Sequence, residues 1–270
     1  MKKIIGIFVT IILGMTTFIA CDPVEIRNDP GGEVSQADID KLVSVTVEQR
    51  NGVNSNYLLL KSEGLHALTS FEYQTGTYRG VNGRVMAYVA PGNYTVKANI
   101  LNPNGSLVVK EFPVKIDECF DLDPAWDLFW GTGTKIWSWD DKASLVWGNG
   151  GFNGNKAPAW WGVSINDAGG QVPGEGKGAT MSFGKGAVLI KNRTDGTSEK
   201  GVFILDMTKK LGTWSIGNMT TIGTTVLLGT KRNANSFYII QITKDQMVLA
   251  HAPAGTGDWG EAYFWMFRAQ

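Results

Sequence analysis

Three hydrophobic patterns follow one another along the chain. After Met1-Lys2-Lys3, residues 4–19 form an almost unbroken apolar run. That run matches the apolar segment of a secretory signal peptide, and it falls short of the roughly 20 residues a membrane-spanning helix needs. From residue 42 the pattern changes to short alternating runs, at 42–47, 56–60, 84–89, 94–100 and 107–116. Tyr94, Val96, Ala98 and Ile100 share one face of an extended segment because side chains alternate with a period of two. Turn chemistry divides these runs, as at Asn51-Gly52 and Asn102-Pro103-Asn104-Gly105.

The third pattern is denser and aromatic. Runs at 135–139 and 144–147 precede eight more strand-like stretches at 179–183, 187–191, 201–207, 213–216, 224–228, 237–243, 247–251 and 262–268. No helical period is apparent, so the expectation is an all-β chain whose C-terminal part is an antiparallel β-sandwich or an up-and-down barrel. All ten tryptophans lie at or beyond residue 126. Such asymmetry predicts two domains, each with its own core. The expected division is a signal peptide (1–20), a flexible tether (21–37), a first β-domain (38–117), a linker and entry segment (118–134) and a Trp-rich β-domain (135–270).

The end of the first apolar run, Phe18-Ile19-Ala20-Cys21, resembles a lipobox, the site at which bacterial signal peptidase II cuts before a lipid-modified cysteine. This implies lipidation at Cys21 and attachment to a membrane. Cys119 then has no intrachain partner and is expected to be a small buried residue. Loss of residues 1–20 removes Lys2 and Lys3 from 25 basic residues, leaving 23 against 25 acidic ones and a net charge of −2. A nucleic-acid partner, which requires clustered Lys and Arg, is not expected.

Gly92, Tyr94, Val96, Asn102, Asn104 and Gly105 form a strand–turn–strand pattern that resembles the polycystic-kidney-disease (PKD) type of immunoglobulin-like domain. The resemblance implies a sandwich over about residues 40–116. The hairpin 238–250 and the final aromatic strand 263–267 look like the C-terminal end of lipocalin-like domains in Bacteroidetes-type lipoproteins. The whole order of lipobox, tether, PKD-like module and Trp-rich β-domain is similar to such surface lipoproteins, many of which sit beside glycan-uptake systems. That implies an outer-membrane location facing the exterior.

Catalytic chemistry has little support in the residues. Glycoside hydrolysis needs two positioned carboxylates, and no Glu-x-Asp-x-x-Glu strand is present. Asp117, Glu118, Asp121 and Asp123 cluster before Pro124, where a solvated linker is expected and a loose calcium site is the alternative. His66 and His251 lie in different expected domains and no Cys-x-x-Cys occurs, so neither a metal nor a cofactor is expected. Residues 174–180, rich in glycine, are expected to be a flexible turn without a phosphate-binding role.

Aromatic loops are the remaining candidates. Sugar rings present apolar faces edged with hydroxyls, so their sites combine flat aromatic rings with polar side chains. Trp147, Asn149, Asn153, Trp160 and Trp161 have that makeup, as do Asp258, Trp259 and Glu261. The alternative for each tryptophan is packing in a core or under a loop. Trp137, Trp139 and Trp265 are expected to be core or half-buried sheet residues, and of the adjacent Trp160 and Trp161 one is expected to face inward. The expected function is capture of a polysaccharide without catalysis. Two other readings stay open: a structural or adhesive envelope subunit making protein contacts, and a glycoside hydrolase of unfamiliar type.

Overall fold

The computed structural model describes residues 31–270. Cys21, the apolar run before it and most of the expected tether lie outside them. The first described element is the helix α1 (Gln36–Leu42), started by Ser35, whose side chain accepts from the Asp38 amide. Val34 donates to the Asn102 side chain at 3.1 Å. Residues 36 and 37 thus belong to a helix where the sequence led us to place the end of a tether.

Seven strands follow: β1 (Ser44–Arg50), β2 (Val53–Lys61), β3 (Leu68–Tyr73), β4 (Gly76–Tyr78), β5 (Asn82–Met86), β6 (Gly92–Leu101) and β7 (Leu107–Ile116). They form a three-stranded sheet in the order β1-β2-β5 and a four-stranded sheet in the order β4-β3-β6-β7. One core holds the two sheets together, with Leu58 and Leu60 from one and Phe71, Val96, Ala98 and Ile100 from the other. The alternation anticipated in 94–100 is present in β6, where Val96, Ala98 and Ile100 are buried and Thr95 and Lys97 are exposed.

The segment 118–134 is more than a linker. It contains a second helix, α2 (Ala125–Trp130), with Ala125, Trp126, Phe129 and Trp130 all buried. Beyond it lie β8 (Thr134–Trp139), β9 (Trp147–Gly151), β10 (Trp161–Val163), β11 (Thr180–Gly184), β12 (Val188–Asn192), β13 (Ser198–Asp206), β14 (Gly217–Ile222), β15 (Ser236–Ile242), β16 (Gln246–His251) and β17 (Glu261–Ala269). Strands β11 to β17 pair in sequence order, and β8 pairs with both β11 and β17. The result is a closed eight-strand antiparallel barrel, which decides between the barrel and the sandwich. Closure leaves no edge along the eight strands.

Two expected strands are absent. Residues 213–216 form a turn, and 224–228 form an irregular segment in which Val226, Leu227 and Leu228 are fully buried. The apolar side chains of 224–228 plug one end of the barrel and do not join a ladder. The strand between them is β14, 217–222. Residues 174–180 are also not a free turn, because Glu175 is fully buried beneath that plug and accepts from the Leu228 amide at 2.6 Å.

The barrel has no open lumen. Trp137, Trp139, Met181, Phe183, Leu189, Phe203, Phe237, Leu249, Trp265 and Phe267 fill it from inward-facing positions. Three interior indoles are anchored by the caps. Trp137 donates to the Phe129 carbonyl of α2, Trp139 to the Glu175 carbonyl and Trp265 to the Leu227 carbonyl, at 2.8–3.0 Å. These three N–H groups are thereby satisfied, as an apolar interior demands.

The first unit is attached at the α2 end. Val89 enters the barrel's core cluster, and Gln74 donates to the Gly186 carbonyl in the β11–β12 turn. The β11–β12 turn lies at the same end as Thr134, which pairs with Gly184. Since β17 runs antiparallel to β8 with Ala269 opposite Trp137, its first residues extend past β8 at the other end, away from the first unit.

Candidate functional site

The protruding half of β17 carries the candidate residues. Past Trp139, the neighbour of β17 changes from β8 to β9, and β10 pairs in turn with β9. Asn149 stands opposite both Trp161 and Tyr263. Directly opposed residues project to the same side of a sheet, so Trp161, Asn149 and Tyr263 form one row across three strands. Trp147, Asn149 and the Gly151 position share that face along β9, as do Trp265, Tyr263 and Glu261 along β17.

The polar side chains of this face are coupled. Asn149 donates to Glu261 at 2.6 Å, and the Tyr263 hydroxyl donates to the same carboxylate oxygen at 3.2 Å. A second pair lies further out, where Asn153 donates to Asp258 at 3.0 Å. The two loops carrying that pair are joined by backbone bonds, from Phe152 N–H to the Gly260 carbonyl and from Trp259 N–H to the Phe152 carbonyl.

The tryptophans divide into a buried one and three exposed ones. Trp147 is fully buried, and this corrects the expectation that it contacts a ligand. It lies at the barrel end of the shared face, packed against Tyr263 and Trp265, and Trp161 rests edge-on against it with ring centroids 5.8 Å apart. Its role is to support Trp161. Trp161 is 47% exposed and Trp160 is 53% exposed, so neither of the adjacent pair is driven into the core. The Ala159 and Trp160 amides both donate to the Asn149 carbonyl.

Trp259 is 62% exposed, yet its position is defined. It adopts a left-handed backbone conformation with φ of 62°, and its ring lies over glycines. A methyl group on Gly151 would fall 2.5 Å from Trp259 Cε3, and one on Gly154 would fall 2.8 Å from the same ring. Only the missing side chains at these two positions let the indole lie against the backbone. One side of the ring is thus backed by glycine and the rest is open.

Two residues of this rim had no place in the sequence reading. Arg232, from the turn 230–232 at the end of the plug, holds its guanidinium 3.5 Å from the Tyr263 ring centroid and 5.7 Å from that of Trp147. Tyr263 could have been found from its spacing of two from Glu261. Arg232 could not, since its approach depends on how the plug folds back.

Seven of the eight candidates therefore meet on one rim: Asn149, Asn153, Trp160, Trp161, Asp258, Trp259 and Glu261. The two histidines are not brought together there; the His251 ring contacts the Ser236 carbonyl instead. No cluster of three or more His, Cys, Asp or Glu able to hold a metal occurs among the described residues. Of the acidic linker residues, Asp121 pairs with Arg50 at 2.6 Å and Asp117 with Lys115 at 2.8 Å. No protein-family model matches the chain, and no curated protein matches it.

Proposed function

We propose that this is a lipid-anchored protein of the bacterial cell envelope that captures a polysaccharide on the barrel rim. Lipidation at Cys21 ties the chain to the outer membrane, facing the exterior. The unit of seven strands serves as an immunoglobulin-like spacer of the PKD type, and the barrel carries the binding face. The closed, filled interior directs any ligand to the outside of the barrel.

The observation that carries this reading is the seating of Trp259. A flat indole backed by Gly151 and Gly154 and open on its other side is a platform for the apolar face of a sugar ring. Asp258 and Asn153 beside it, with Asn149 and Glu261 on the same rim, supply acceptors and donors for hydroxyls. Trp161 offers a second ring.

Calorimetry of the folded protein against a panel of polysaccharides tests the reading. Binding is expected for at least one glycan, and Trp259→Ala and Trp161→Ala are expected to abolish it while thermal unfolding stays close to wild type. Absence of heat with every glycan would overturn it, as would binding that survives both substitutions.

A further inference from the structure

The end of the molecule opposite that rim carries an exposed apolar surface. Leu68, Leu101 and Leu107 stand directly opposite one another across β3, β6 and β7. They lie on the outward face of the sheet, because the alternate positions Val96, Ala98 and Ile100 of β6 point into the core. Leu68 is 74% exposed, Leu107 59% and Val81 59%. Val109 adds to the same face one pair further along β7. Arg79 and Val81 border a cleft of about 520 Å³ against these leucines. A second shallow cleft continues from Leu68 and Leu101 to Asn102, Pro103 and Gly105. Scattered exposed leucines need no explanation, whereas a contiguous group marks a contact surface.

What covers this surface follows from where the chain arrives. Val34 is bonded to Asn102, and a side chain at Gly31 would begin 3.4 Å from Pro103. The chain therefore enters at the turn that edges the leucine row. Nine residues lie between Cys21 and Gly31, and the ten steps from one to the other, at about 3.5 Å each, reach no more than ~35 Å. The β6 strand then leads away from this turn. Its first residue follows the 86–90 segment that touches the barrel, and ten residues at about 3.3 Å each put ~30 Å between the two ends.

We infer that the Leu68–Leu101–Leu107 face rests on the phospholipid bilayer to which Cys21 is anchored, with Arg79 beside the lipid phosphates. The inference rests on lipidation of Cys21. A short lipid-anchored leash holds this face at high local concentration next to the bilayer, so weak insertion of exposed leucines is enough to fix orientation. This contact lies at the turn end of β6, whereas the barrel adjoins the other end of that strand and carries the Trp161–Trp259 rim beyond it.

Bromine-labelled phospholipids, which quench tryptophan on contact, test this with the full chain purified from bacterial membranes. The native protein and its Leu68→Trp and Leu107→Trp variants are placed in vesicles of phosphatidylethanolamine and phosphatidylglycerol, with and without bromine-labelled phosphatidylcholine. The emission added by Trp at position 68 or 107 is expected to be lost in brominated vesicles, while the ten native tryptophans, all in or near the barrel, keep theirs. Undiminished added emission from both variants would overturn the inference, and so would equal quenching of the native tryptophans. Labelled palmitate incorporation, lost in Cys21→Ser, separately tests the anchor. No incorporation would remove the reading on which the inference rests, whatever the quenching.

Discussion

The Lys191 ammonium lies 2.7 Å from a Glu175 carboxylate oxygen, and neither side chain is exposed to solvent. Glu199, directly opposite Lys191 across β12 and β13, approaches the same ammonium at 3.1 Å. Arg193 bonds both carboxylates from the more exposed side. Glu175 also accepts from the Leu228 amide, so this network latches the plug to the barrel wall. Breaking a buried pair from one side leaves an uncompensated charge. Lys191→Met is expected to lower the unfolding free energy by about 3–5 kcal/mol in urea titration. The double variant with Glu175→Gln is expected to recover part of that loss; a double variant as unstable as the sum of the two singles would contradict the latch.

Acid should loosen the same latch. Burial acts to raise the Glu199 carboxyl, but hydrogen bonds from Arg193, Thr224 and Lys191 outweigh it and hold the group at about 2. In the first unit, Arg84 and Arg50 bring Glu48 down to about 2 as well. Both carboxyls have folded values below their ordinary 4.5. Their stabilisation is therefore complete above about 4.5 and is lost as pH falls through about 2. The melting temperature should fall across that window. Glu199→Gln should flatten the decline relative to wild type, and an unchanged slope would show that the network does not report on folding.

Cys119 provides a chemical check on the first unit. Burial, followed by the nearby Glu118 charge, pushes its thiol up to about 11 from 9.0. At pH 8 the folded protein should hold about a hundredfold less thiolate there than an unfolded chain. Iodoacetamide should accordingly modify Cys119 far more slowly before than after addition of urea. Equal rates would mean that the side chain is not packed against the core it borders.

Local alternation made β6 readable, because Tyr94, Val96, Ala98 and Ile100 have to share a face whatever they pack against. The same logic failed for 224–228, whose apolar side chains signal burial but not the hydrogen-bond partner of the backbone, and here the segment is a plug. Helix α2 escaped notice because Ala125–Trp130 spans less than two turns and buries nearly all its faces, so no 3.6-residue period can emerge. At the rim, composition pointed to the loops, but the pairing of Asn149 with Glu261 across 112 residues depends on β9 lying beside β17. Trp147 was misjudged for the same reason. Its burial follows from that pairing, which sets it against Tyr263 and Trp265 and which the surrounding Gly/Asn-rich sequence conceals.

Trp147 should separate support from contact. Its indole N–H is buried with no hydrogen-bond partner among the described residues, so Trp147→Phe removes an unsatisfied donor while keeping most of the ring. The expected stability change is under about 1.5 kcal/mol, the range of volume-conserving core swaps. Trp147→Ala should cost about 3–5 kcal/mol and release Trp161 from its edge contact. Guanidinium titrations of both variants measure the difference, and a phenylalanine variant as unstable as the alanine one would give the N–H a partner in solution.

Gly151 decides whether the Trp259 platform is held or merely nearby. An alanine methyl at 151 would occupy the space of Trp259 Cε3 at 2.5 Å, while the Gly151 backbone itself sits in an ordinary β9 ladder with Glu261. The exposed indole is the part free to give way, so Gly151→Ala should lift the ring without unfolding the barrel. Its indole N–H resonance should move in a nitrogen-15 correlation spectrum, and melting should fall by only a few degrees, as for a change of about 1 kcal/mol. Gly196→Ala, at an exposed turn with open space around it but a φ of 85°, is destabilising through backbone strain alone, without touching the rim. It should leave that resonance in place. If Gly151→Ala also leaves it unmoved, the ring does not lie on the glycines, and the platform does not exist in solution.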